Sequence, residues 1–178
     1  RAPAAVKAFA QANPHRMGVW TADSKTRVAT MGQNDFRSNE QSVTLGEAAT
    51  LRIEHVAGDS VTVMKDGLAM PAGTIVDSTF MSVTALKSFY DRVIEEVAAE
   101  GTLFSLHMKA TMMKVSDPII FGHCVRQYLA PVFEAHGEAF EAAGISPNAG
   151  LGTMLEKIAE MDGGDAILAE IDAVMTSR

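Results

Sequence analysis

The chain has 178 residues, room for one large or two small domains, and with 47% hydrophobic residues it can build a core rather than remain disordered. Fifteen Lys and Arg against 22 Asp and Glu leave a formal charge of −7, which argues against a phosphate-neutralising surface and hence against a nucleic-acid partner. A single cysteine excludes an internal disulfide and a multi-cysteine zinc site, and no apolar run approaches the ~20 residues a bilayer span requires, so the expectation is a cytoplasmic protein with no membrane contact.

Charge is unevenly placed. Residues 1–37 hold six basic and two acidic side chains, whereas residues 132–178 hold two and nine. The acidic tail reads as the solvated face of helices. The chain opens at Arg1 rather than Met and closes at Arg178 after an apparent helix, which we read as the mark of a fragment.

In chain order, residues 4–12 predict a short helix that follows Pro3, uses Val6 and Phe9 as apolar anchors, and stops before Asn13-Pro14, because a residue preceding proline disfavours helical backbone. Residues 17–45 read as irregular, broken by Gly18 and Gly32, with Trp20 expected to anchor a loop. Leu51 and Ile53 alternate with Arg52 and Glu54, a turn follows at residues 57–60, and Val61 and Val63 alternate with Thr62 and Met64: a hairpin. Lys65-Asp66-Gly67 predicts a further turn, and the β-branched run 74–81 a buried strand.

Ser82 is placed to cap a helix in which Leu86, Phe89, Tyr90, Val93, Ile94 and Val97 recur at helical spacing, with Gly101 as its stop. Residues 102–108 read as a strand. With 74–81 they predict a strand-helix-strand unit whose strands lie parallel. Ser116 as N-cap, Asp117 and Pro118 then open a long helix that Pro131 breaks; a continuation ends at Gly144, and two amphipathic helices follow at about 151–161 and 166–175. The predicted class is α/β (α+β elements). A mixed sheet with a hairpin region, the strand-helix-strand unit and one helix fill residues 1–115, and residues 116–178 are helical, together forming a single domain or a pair of subdomains.

Searches for chemistry remove whole classes. The chain has no P-loop, no His-Glu-x-x-His and no Gly-x-Ser-x-Gly elbow. Gly150-Leu151-Gly152 lacks the third glycine and the preceding strand of a dinucleotide turn. His15, His55, His107, His123 and His136 show no paired metal-ligand spacing and read as ordinary histidines. Cys124, Tyr90 and Tyr128 fall on apolar helix stripes and read as core. Lys109 stands apart, because it follows an apolar extended run and precedes a helix, where α/β folds gather ligand-binding groups. A lysine there either loses its proton and serves as acid or base, stays charged and binds a carboxylate, or merely ends the run in water.

The runs at 114–123 (Lys-Val-Ser-Asp-Pro-Ile-Ile-Phe-Gly-His) and 142–152 (Ala-Ala-Gly-Ile-Ser-Pro-Asn-Ala-Gly-Leu-Gly) resemble stretches of the monomeric NADP-dependent isocitrate dehydrogenases. Asn13-Pro14-His15, Met17-Gly18 and Ala22-Asp23-Ser24-Lys25 are similar to the same family, so the likeness runs in order along nearly the whole chain. Arg1-Ala2-Pro3 is similar to the end of that family's Asn-Ser-Asp-Arg-Arg-Ala-Pro motif, which implies that the rest of its substrate clamp precedes this chain. Lys109 and Lys114 are also similar in spacing to the His-Lys-Gly-Asn-Ile-Met-Lys segment of the dimeric isocitrate dehydrogenases, from which the chain departs at Ala110-Thr111.

The resemblance implies that Lys109 is catalytic, that it binds substrate at its hydroxyl or carboxylate and relays protons, and that it works with a tyrosine from elsewhere in the parent protein. It implies oxidative decarboxylation of isocitrate to 2-oxoglutarate and carbon dioxide, with NADP as hydride acceptor and Mg2+ or Mn2+ as Lewis acid. Asp77 and Asp117 are available carboxylates with structural explanations, and the resemblance implies that the metal-binding aspartates lie beyond Arg178 and the NADP-binding residues elsewhere in the parent protein. The expected whole is a monomeric enzyme, and the 178-residue chain is expected to be inactive alone and able to self-associate. The competing expectation is a free-standing, non-catalytic domain of the same descent that binds a protein partner.

Overall fold

The structure, a computed structural model, describes residues 2–16, 18–108 and 114–177. Helix α1 (Ala4–Ala12) forms where expected and ends against Asn13, whose N–H donates to the Phe9 carbonyl. Its intended anchors find nothing to hold: Val6 and Phe9 are both exposed, Phe9 at 69%. Trp20 likewise anchors no loop and stands 73% exposed.

The strands are all antiparallel. β1 (Gln41–Thr44) lies within the stretch read as irregular and pairs with β4 (Ile75–Ser78), Gln41 opposite Ser78 and Thr44 opposite Ile75. β4 is therefore shorter than the predicted strand, and largely exposed rather than buried. β2 (Ala49–Ala57) and β3 (Ser60–Met70) form the expected hairpin around Gly58. The turn expected at residues 65–67 does not form. Gly67 takes a φ of 67°, its N–H accepted by the Asp66 carboxylate at 2.8 Å, and β3 runs on through it to Met70. The pairing passes from Ile53–Lys65 to Leu51–Leu68, so an irregularity absorbs the extra residue that sequence reasoning took for a chain reversal.

Helix α2 (Val83–Glu100) carries both of its predicted punctuation marks. The Ser82 hydroxyl accepts the Ala85 N–H at 3.3 Å, and Gly101 closes the helix in the left-handed region at φ 65°. Its inner stripe, Leu86, Tyr90 and Ile94, forms one apolar cluster, against which Met31, Phe104 and Leu106 pack. Residues 102–108 alternate between half-buried and exposed as a strand would, yet no strand forms there. The parallel strand-helix-strand unit is accordingly not made among the described residues: the Thr102 N–H donates back to the Val97 carbonyl of α2, and 103–108 pairs with no strand.

The C-terminal half is helical. α3 (Ser116–Tyr128) and α4 (Ala130–Ala142) are separated at Leu129, with Pro131 in the first turn of α4 where its missing N–H costs nothing. A 3-10 turn (Pro147–Ala149) leads into α5 (Leu151–Ala159), and α6 (Gly164–Ser177) ends the chain. Val125, Leu129, Val132, Phe140, Ile145, Met154, Ile158, Ile167 and Ile171 bury together as the second and larger cluster. Each large apolar side chain fully removed from water there contributes about 1.5–3 kcal/mol before entropy is counted. Tyr128 packs against both clusters, so α3 joins the two halves.

The candidate active-site cleft around Asp117 and Asn148

The run 102–108 is held to α2 by Phe104 and Leu106, and its last residues border a cleft of about 400 Å3. Leu106, His107 and Met108 line one side of it, Asp117, Pro118 and Phe121 from the start of α3 a second, and Asn148, Ala149 and Gly150 a third.

The start of α3 differs from expectation. Ser116 is the first helical residue rather than the cap, Val115 precedes it in helical backbone, and the helix has no side-chain cap. Asp117, inside the first turn, bonds the backbone just before the helix instead. Its carboxylate accepts the Lys114 N–H at 2.8 Å while its own N–H donates to the Lys114 carbonyl at 3.1 Å. This reciprocal pair closes the backbone at 114–117, and Asp117 is only 8% exposed. A charged acceptor at that place also suits the positive end of α3. The carboxylate is thus occupied by the backbone, and Asp77, exposed in β4 opposite Ser42, is not among the residues that line the cleft.

The third wall is fixed by close approach. A Cβ on Gly122 would sit 1.8 Å from the Asn148 Oδ1, so the side chain of Asn148 fills the space a larger residue in α3 would need. The Ser146 hydroxyl accepts the Asn148 N–H at 3.3 Å and sets the turn that delivers it. Sequence reasoning missed Asn148. The available signal was Gly122, a residue that costs about 1 kcal/mol in a helix interior and therefore marks a close contact.

The catalytic candidate Lys109 lies outside the described residues. Of the described residues nearest to it on either side, Met108 lines the cleft and Lys114 donates its N–H to Asp117. Neither tyrosine stands at the cleft. Tyr90 is 1% exposed and donates its hydroxyl proton to the Ile120 carbonyl at 3.1 Å, and burial raises its pKa well above the ordinary phenol value. Burial pushes the Cys124 thiol up to about 11, which leaves it a protonated packing group as read from its helix stripe. His123 is depressed, first by burial and then by Lys87 and Arg126. His136 bonds Glu170 at 2.8 Å, tying α4 to α6. Among the described residues no three His, Cys, Asp or Glu side chains gather as a metal site, and Gly150 follows a 3-10 turn rather than a strand. These residues therefore fit neither the divalent metal nor the dinucleotide.

The cleft of this mixed α/β fold is built from the two sequence runs at 114–123 and 142–152, which meet through Gly122 and Asn148. The family model for monomeric isocitrate dehydrogenase matches residues 1–178, and the chain belongs to that family. It is 53% identical to the isocitrate dehydrogenase [NADP] of Corynebacterium efficiens over 97% of its own length and 24% of that relative. The corresponding protein of Corynebacterium glutamicum is 50% identical over 97% of the chain and 23% of its own length, and that of Azotobacter vinelandii 40% identical over 100% and 24%. The chain spans about a quarter of the length of the curated relatives it matches.

Proposed function

We propose that this chain is the portion of an NADP-dependent isocitrate dehydrogenase that carries the catalytic lysine, Lys109, and that it is inactive by itself. The observation that carries this reading is the family match over residues 1–178 at a quarter of the relatives' length. The cleft supports it, because both resemblance-bearing runs converge there and Met108 and Asp117, from either side of 109–113, line it. Within the complete enzyme, Lys109 contacts the isocitrate hydroxyl or carboxylate and relays a proton during oxidative decarboxylation to 2-oxoglutarate and carbon dioxide. The residues that hold NADP and Mg2+ or Mn2+, and the partner tyrosine, are supplied from outside this chain. The reading includes a cytoplasmic, monomeric parent enzyme, the second from the family's own description; no helix among the described residues is long and apolar enough to cross a membrane.

The test is NADP reduction with isocitrate and either metal. The complete enzyme turns over and the 178-residue chain does not. A Lys109→Met substitution in the complete enzyme lowers kcat by on the order of a thousandfold, the range for loss of a positioned proton-transfer group. A near-normal rate removes Lys109 from the mechanism.

A further inference from the structure

Two segments outside any helix or strand, residues 25–29 and 102–106, lie beside α2 and border a groove of about 540 Å3 floored by Phe89, Val93 and Val97. Both are fixed in place. The Lys25 ammonium donates to the Glu100 carbonyl at 2.9 Å, Arg27 pairs with Glu96 and Glu100, and Phe104 packs with Leu106 on the α2 cluster. Neither has a backbone hydrogen-bond partner along 25–29 or 103–106 among the described residues. Apart from the Thr26 N–H, which the Ser24 hydroxyl accepts at 3.4 Å, the N–H and C=O groups of these residues stand open beside an apolar floor, the condition under which an added strand gains main-chain hydrogen bonds.

We propose that a β-strand from the part of the same polypeptide outside these 178 residues inserts into this groove and pairs with residues 102–106 and 25–29. The length supports this occupant: about three quarters of each relative lies outside the matched region, more than enough to supply it. Leu103 is 91% exposed and Val28 88%, so each segment also shows a large apolar side chain to water. The inserted strand turns an apolar face onto the floor of Phe89, Val93 and Val97.

This rests on the reading of the chain as part of a longer polypeptide, but its test is separate from activity. Hydrogen exchange is measured by mass spectrometry on peptides covering 25–29 and 102–106, in the complete protein and in the 178-residue chain. The complete protein is expected to protect both segments at least about a hundredfold more, as paired strands are protected relative to open segments. A photo-crosslinking benzoylphenylalanine placed at Leu103 of the complete protein is expected to capture a peptide from outside these residues. Equal exchange in the two forms overturns the proposal. So does a crosslink confined to these 178 residues, or protection that rises with the concentration of the short chain, which would make a second copy the occupant. Protection without isocitrate turnover leaves this inference standing and removes the proposed activity; turnover without protection does the reverse.

Discussion

Gly122 occupies the interior of α3, where a glycine weakens the helix, and the reason is the side chain of Asn148 pressed against it. Gly122→Ala improves helix propensity and still destabilises, because its Cβ would meet the Asn148 Oδ1 at 1.8 Å and the Asn148 backbone nitrogen at 3.0 Å. The expected loss is about 1–3 kcal/mol, typical of overpacking. Asn148→Ala in the same background removes the nearer obstacle and restores part of it, so a double-mutant cycle in urea reads a favourable coupling; strictly additive effects would refute the contact. Cys124 gives a pH signature of opposite character. Its thiol titrates at about 11 in the folded chain against an ordinary 9.0, so between those values the native state holds a proton that the unfolded state has lost. Stability then falls as pH rises through that window. Tyr90, raised from 10.0, adds a loss of the same sign at the upper end. Cys124→Ala flattens the decline in urea midpoint above the ordinary thiol pKa and leaves the Tyr90 part; an unchanged slope would mean the thiol is not desolvated.

At the scale of elements, what could be read from sequence was what is locally determined. α2 carries its cap, its stripe and its left-handed stop within its own residues, and it forms as expected. The α3–α4 break follows from Pro131 by the same local logic. Residues 102–108 show the limit. Their alternation is that of a strand and their burial keeps the period, but a strand is completed by a neighbour, and the neighbour is not determined by the segment itself. β1 was missed for the related reason that four residues without marked alternation become a strand only opposite β4. Gly67 misled because a glycine with positive φ serves a bulge as well as a turn. In the candidate site, the two family-like runs were legible one at a time. Their meeting through Gly122 and Asn148 is a tertiary fact, and so is the use of Asp117 to bind the Lys114 backbone rather than to await a ligand.

At the scale of the whole molecule, apolar surface is distributed unevenly, and the unevenness says how the isolated chain should behave. The helical half is closed around its own cluster, whereas the β2–β3 hairpin shows Val56, Val61 and Val63 to water. Val56 lies opposite Val61 and Glu54 opposite Val63, so the three valines share one face of the hairpin. Exposed apolar strips of this kind drive association, and we expect the 178-residue chain to sediment as a concentration-dependent mixture heavier than its 19.0 kDa monomer. Replacing Val56, Val61 and Val63 together by Thr keeps β-branched side chains on the strands and removes the apolar strip, so it shifts the mixture towards monomer with little change in hairpin structure by circular dichroism. Sulfate strengthens apolar burial and is expected to favour the heavier species, whereas association through the acidic tail would respond chiefly to ionic screening whatever the salt. A chain that sediments as monomer at every concentration, or a triple variant that associates as strongly as the parent, would take the hairpin face out of this account.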